Sequence, residues 1–298
     1  MPLYLRPPTL ASALAALARA KRSGRGQRLT VIAGGTDIYP ARAARQAWLG
    51  SFPRDFLDVT RIPELRGLSE EGQALRIGAA TSWTEVAEAP LSAAYDALRQ
   101  AAAQIGGRQI QNRATVGGNI VNASPAADGV PPLLSLDASV EIASHAGERS
   151  VPLATFIRGN RRTELAEDEL VTAIRIPAHR DTAHSVFLKL GARSYLVISI
   201  ASVAVLLDVG ADARIADIRI TVGACSEVPA RLAALEAALR GEILGPALLK
   251  RVTPAIFAGL APIDDVRASA AYRRDAARIL VGRALAAFVR PQRMENAA

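Results

Sequence analysis

Apolar residues recur at helical spacing over residues 9–22, where Leu10, Ala13, Leu14, Leu17 and Ala18 share one face. The period then shortens. LTVIAGG (29–35) is a β-rich run stopped by a glycine pair, and FLDV (56–59) is a second such run. ALRIGAA (74–80) is a third, with Leu75 and Ile77 alternating against Arg76. Ser82 and Glu85 stand three apart, the spacing of a capping box, and predict a helix from Ser82 that Pro90 ends or restarts. LSAAYDALRQAAAQI (91–105) predicts a helix closed by Gly106 and Gly107. Residues 112–138 are crowded with Gly, Asn, Ser, Asp and Pro but keep apolar residues between them; they read as a loop packed against something. Strands are predicted at 139–144 and 169–176, a polar linker at 177–184, one or two strands within 194–209, and another at 215–224. Helices are predicted at 229–240 and 268–289, with 290–298 a frayed tail. Helices grouped beside antiparallel strands make the expected fold class α+β.

A chain of 298 residues calls for two domains, and the polar linker divides it into 1–178 and 185–290. Half the residues are hydrophobic and spread along the length, which is the composition of a globular protein. No apolar run long enough to span a membrane is free of Gly, Pro or charge. MPLYLRPPTL does not have the basic, apolar and small-residue order of a secretory signal. The expectation is a cytoplasmic protein with no membrane span. The single cysteine, Cys225, fits a reducing compartment and cannot by itself hold an iron–sulfur cluster. Placed between an apolar strand and a helix, it reads as a small buried hydrophobe. His145, His179 and His184 are not near it, and neither HExxH nor CxxC occurs, so no metal site is expected in this chain. The net charge of +8 comes largely from scattered arginines such as Arg42, Arg45, Arg54 and Arg273. That charge suits an anionic cofactor or an acidic partner. With 4% aromatic residues and no interleaving of bases with aromatics, nucleic acid is not the expected ligand.

Two glycine segments carry the candidate chemistry. AGGTD, Ala33 to Asp37, follows the strand LTVI directly. Glycines there let backbone N–H groups approach a ligand and line an anion-binding concavity, to which Thr36 adds a hydroxyl; a diphosphate is the natural guest. The same residues also read as a tight turn in which Asp37 caps a helix. TVGGNIVNASPAAD, Thr115 to Asp128, brings Gly117, Gly118, Asn119, Asn122 and Ser124 close together. These groups suit phosphate oxygens, whereas Asp128, itself an anion, suits ribose hydroxyls or the loop backbone. The competing reading is a packed loop with internal Asx turns. Neither segment has the Rossmann spacing, the second lacking a third glycine and a following helix. GK[ST] and GxSxG do not occur. With no acid, base or metal in view, a redox cofactor that brings its own chemistry is the coherent guest.

VIAGGTD followed about eighty residues later by ATVGGNIVNASPAAD resembles the FAD-binding medium subunit of the xanthine dehydrogenase and carbon monoxide dehydrogenase family. RIPEL (61–65), LRIGAATSWTEV (75–86), FLKLGAR (187–193) and DVRASAAYRR (265–274) extend the resemblance over nearly the whole chain. It implies an FAD-binding domain of the vanillyl-alcohol oxidase-like type followed by a smaller α+β C-terminal domain. By position, Ile32, Ala33, Gly34, Gly35, Thr36 and Asp37 line the FAD diphosphate. Thr115, Gly118, Asn119, Ser124 and Asp128 hold the rest of the ADP half, and Gly117 lets the backbone pass close. Lys189 stands where relatives place a lysine near the flavin; otherwise it is a solvated strand residue. Val197 stands where many relatives carry Asp. The resemblance further implies two partners, a molybdopterin-binding large subunit that hydroxylates the substrate and a small subunit with two [2Fe–2S] clusters, in a dimer of heterotrimers. FAD here would pass electrons to NAD, a quinone or oxygen. A self-contained FAD-dependent oxidoreductase, a scaffold subunit without efficient FAD use and a nucleic-acid-binding protein are the alternatives.

Overall fold

The computed structural model describes residues 3–23, 29–47 and 55–289. The tail expected at 290–298, Arg54, and the side chains of Arg42 and Arg45 lie outside the described residues. The chain forms two compact units that do not follow chain order. The first comprises Met1–Ala89, Ala102–Ser124 and Asp137–Ala178; the second comprises Pro90–Ala101, Pro125–Leu136 and His179–Ala298. Two stretches of the first half thus belong to the unit built mainly from the second half. Among the described residues no helix is long and apolar enough to cross a membrane.

The first unit holds a small parallel sheet in the order Tyr4–Leu5, Phe56–Asp58, Thr30–Ile32. The helix Leu10–Arg22 starts as its periodicity predicts. Thr9 caps it in reciprocal hydrogen bonds with Ser12, and Leu14 and Leu17 pack with Leu57, Val59, Ile62 and Leu65. A five-stranded antiparallel sheet follows, ordered Leu68–Glu70, Ala74–Gly78, Leu170–Pro177, Ser139–Ser144, Gly147–Pro152. Ser82 caps the helix Trp83–Glu88 with Glu85 reaching back to it, as the capping-box spacing predicts. A short hairpin, Ile157–Gly159 with Arg162–Thr163, turns at Asn160 and Arg161.

The second unit is built on an antiparallel sheet in the order Ala183–Leu190, Ala201–Val209, Ile215–Gly223, Ala230–Arg231. Val203, Val205, Ile218 and Ile220 pack there with Leu280 and Val281 of the helix Ala270–Val289. The helix Val130–Ser135 also lies on this sheet. Cys225 is fully buried, and burial pushes its thiol up to about 12, so it is a core residue and not a nucleophile.

Three expectations need correction. The loop expected at 112–138 contains the helices Val116–Asn122 and Val130–Ser135. Glycines have poor helix propensity, and here tertiary hydrogen bonds at the first turn overcome it. The strands expected across 194–209 begin only at Ala201, because Leu196 takes a left-handed φ of +52° and turns the chain. The linker expected at 177–184 is narrower, since strands run in to Pro177 and out from Ala183.

Candidate functional site

The strand Thr30–Ile32 ends in the turn Ala33–Asp37, and the ten-residue helix Ile38–Ala47 begins immediately after it. Gly35 has φ +75°, and a Cβ on it would run into the Tyr39 ring. A Cβ on Gly34 would overlap the carbonyl of Arg113, so the two glycine motifs meet backbone to backbone at this residue. Some acceptors at the turn are in use: the carbonyls of Ile32 just before it and of Gly35 and Asp37 within it take the N–H groups of Val59, Tyr39 and Ala41. Its donors are not. No protein acceptor among the described residues takes the N–H of Gly34, Gly35, Thr36 or Asp37. Consecutive unclaimed amides at the start of a helix concentrate positive potential and are built for an anion.

The second motif is organised differently from the sequence expectation. Thr115 caps the helix Val116–Asn122, its hydroxyl accepting from Gly118 N at 3.1 Å. Val116 N donates to Thr81 O at 3.0 Å, Gly117 N to Ala79 O at 2.9 Å and Asn119 N to Thr115 O at 3.0 Å. The expected backbone cradle for phosphate is therefore corrected here: these amides are held by the protein. Gly117 is needed for packing, because a Cβ on it would crowd Ala79. Gly118 is different. It is exposed, and a Cβ would meet only the Thr115 hydroxyl. Asn119 presents a buried Oδ1 with no partner among the described residues, an acceptor waiting for a donor. Ala123 ends the helix in a left-handed conformation, φ +45°, and half-buried Ser124 follows.

Asn122 and Asp37 join the two motifs, with Asn122 Nδ2 donating to Asp37 Oδ1 at 2.9 Å. Arg161 completes the link, its guanidinium donating to Asn122 Oδ1 at 2.6 Å. Arg161 escapes sequence reasoning because it lies in the short hairpin, far along the chain from both motifs.

Asp128 and Lys189 belong to the second unit. Lys189 Nζ lies 2.6 Å from Asp128 Oδ2 and donates to Val197 O at 2.9 Å. Ser199 donates its hydroxyl to Asp128 Oδ1. Lys189 is thus not a solvated strand residue: its side chain is 5% exposed and that of Asp128 is 7% exposed. Burial raises the Asp128 pKa, while Lys189 and Ser199 pull it the other way. Val197 contributes its backbone carbonyl to the lysine. Among the described residues no group of three or more His, Cys, Asp or Glu is placed to hold a metal ion.

Unclaimed amides in one glycine turn, an orphaned buried acceptor in a second glycine motif and direct contact between the two fit the diphosphate and sugar of a dinucleotide. The geometry defines a dinucleotide-binding α+β protein outside the Rossmann class. The comparisons identify which. The model of the FAD binding domain in molybdopterin dehydrogenase matches residues 2–179, and that of the CO dehydrogenase flavoprotein C-terminal domain matches residues 187–288. The xanthine dehydrogenase FAD-binding subunit of Escherichia coli O157:H7 is 32% identical over 276 residues, covering 91% of this chain and 90% of that one. The nicotine 6-hydroxylase medium subunit of Paenarthrobacter nicotinovorans is 31% identical over 257 residues, covering 86% and 88%. The solved structure of a carbon monoxide dehydrogenase from Hydrogenophaga pseudoflava, lacking the Mo-pyranopterin moiety of its cofactor, superposes with a TM-score of 0.85 at 30% identity over 96% of each chain. The chain belongs to the FAD-binding medium subunits of the molybdenum hydroxylase family, with their two-domain α+β architecture. It serves as the FAD-binding subunit of a molybdopterin-dependent dehydrogenase.

Proposed function

We propose that the turn Ala33–Asp37 holds the diphosphate of FAD, and that this subunit relays electrons between a partner's [2Fe–2S] clusters and an external acceptor. The observation that carries the first part is the set of unclaimed amides from Gly34 to Asp37. Ile32 ends the strand that delivers the turn, and Thr36 adds a hydroxyl beside the amides. Gly118 keeps its side open, and Asn119 offers its buried Oδ1 to a sugar hydroxyl. Thr115 and Gly117 act through the protein, the first as a helix cap and the second by close packing. Ser124 stays with the cofactor set on the strength of the family resemblance. Asp128 and Lys189 are cofactor contacts on the same ground, and their pairing makes them act as one neutral unit.

When bound, FAD supplies the ability to accept electrons singly and release them in pairs. The chain's own task is to bind and orient it. The organic substrate then meets a molybdopterin-containing large subunit, and a small subunit carries the clusters, in a cytoplasmic dimer of heterotrimers. The acceptor is NAD, a quinone or oxygen. The FAD-binding domain is assigned to 1–178 and the C-terminal domain to 185–290.

The test is absorbance of the mildly purified native assembly with metal and mass analysis. FAD together with molybdenum, iron and two co-purifying chains is the expected result. FAD on a lone chain reduced directly by an organic donor would replace the relay with a self-contained oxidoreductase. A chain that takes up no FAD even when it is added would leave a scaffold role.

A further inference from the structure

Among the described residues, the two glycine motifs are joined side chain to side chain through an amide whose orientation is dictated by its neighbours. Arg161 can only donate and the Asp37 carboxylate can only accept, so Asn122 must face Arg161 with Oδ1 and Asp37 with Nδ2. The clamp has a second point, because Arg161 N donates to Ala123 O at 2.9 Å. Both residues at that point are left-handed, Ala123 at φ +45° and Arg161 at +55°, a conformation that non-glycine residues adopt at a cost. A strained hairpin turn is thus held against the end of the helix Val116–Asn122, aiming one cation through one amide at one carboxylate. That carboxylate stands at the end of the row of unclaimed amides, where its charge would oppose a bound diphosphate.

We infer that Asn122 and Arg161 are positioning residues for the cofactor turn: they hold the Asp37 carboxylate in place and offset its charge, so that the amides of Gly34 to Asp37 can accept a diphosphate. The inference rests on the FAD reading of that turn. It adds two residues that do not touch the cofactor and a reason why an anion-binding turn tolerates an aspartate.

The test measures the affinity of the full chain, freed of flavin, for FAD and for ADP, with the melting temperature of each variant recorded alongside. Arg161→Ala should weaken both ligands about tenfold at low salt, a loss of about 1.4 kcal/mol. Raising the salt concentration should shrink that loss, because repulsion from Asp37 is screened. The loss should also vanish in a D37N background. N122D, which sets two carboxylates face to face, should weaken binding further. D37N/N122D should restore it, because amide and carboxylate then exchange places and one still donates to the other. If R161A does not fold, R161K, which keeps a cation but loses the planar guanidinium fork, should show the same salt-dependent loss at smaller size. Variants that bind FAD and ADP as well as the unmodified chain would overturn the inference. So would a loss that ignores salt and follows the melting temperature. An unmodified chain that binds neither ligand would instead overturn the FAD reading itself.

Discussion

Lys189 and Asp128 face each other at 2.6 Å, a buried ion pair to which Ser199 and the Val197 carbonyl add hydrogen bonds. Such a pair is costly to break and cheap to replace. Removing one partner leaves the other charge buried and uncompensated, at about 3–5 kcal/mol, whereas neutral partners of similar shape come close to break-even. Lys189→Met should therefore destabilise the protein by about that amount, and D128N/K189M should recover most of it. Urea unfolding of the three proteins checks this. Equal destabilisation in the single and double variants would show that the two residues are not coupled.

Gly118→Trp should fold and lose FAD. Its glycine is exposed, and an added Cβ meets only the Thr115 hydroxyl, so a large side chain would fill ligand space without entering the core. Gly34→Ala should fail for another reason, since the methyl group overlaps the Arg113 backbone. Circular dichroism and flavin absorbance of the purified variants separate the cases. Normal FAD content in folded G118W would remove Gly118 from the site.

Acid should loosen the small parallel sheet whose middle strand is Phe56–Asp58. Burial acts to raise the Asp58 pKa, but hydrogen bonds from Thr60 and Tyr4, with the Arg6 guanidinium at 3.1 Å, outweigh it and hold the carboxyl below its usual value. A group whose pKa is lowered by folding adds stability above its unfolded value and loses it as pH falls through the folded one. Melting temperature should thus drop below about pH 4, and D58N, already less stable at neutral pH, should drop less. Parallel acid limbs for the two proteins would contradict this.

Cys225 should resist thiol reagents in the native protein. It is fully buried, burial has pushed its thiol up to about 12, and the thiolate is the reactive form. Modification by a chromogenic disulfide should appear only as denaturant unfolds the second unit. Rapid labelling of the folded chain would show that this core opens.

Much of the architecture was legible along the chain because it depends on neighbours in sequence. The period-2 run around Leu75 and Ile77 marked a strand by its local alternation, although one of its pairing partners, Leu170–Pro177, lies far along the chain, and the Ser82–Glu85 spacing became a capping box through contacts three residues apart. The turn at Gly35 was visible for the same reason: glycine at a left-handed φ is a local requirement. The helix Val116–Asn122 was not visible. Its first-turn amides are held by Thr81 and Ala79, which lie more than thirty residues earlier.

The sequence by itself determined the strand and glycine turn, the apolar faces and, through the two motifs in their order, the family. Tertiary structure alone decided which amides remain available. In the first motif the donors from Gly34 to Asp37 are left over among the described residues, and in the second the amides of Val116 to Asn119 are consumed. It also decided that Asp128 is paired with Lys189 and Asp37 with Asn122 and Arg161, because a hydrogen bond is made between positions in space and a chain pattern records only positions along the chain.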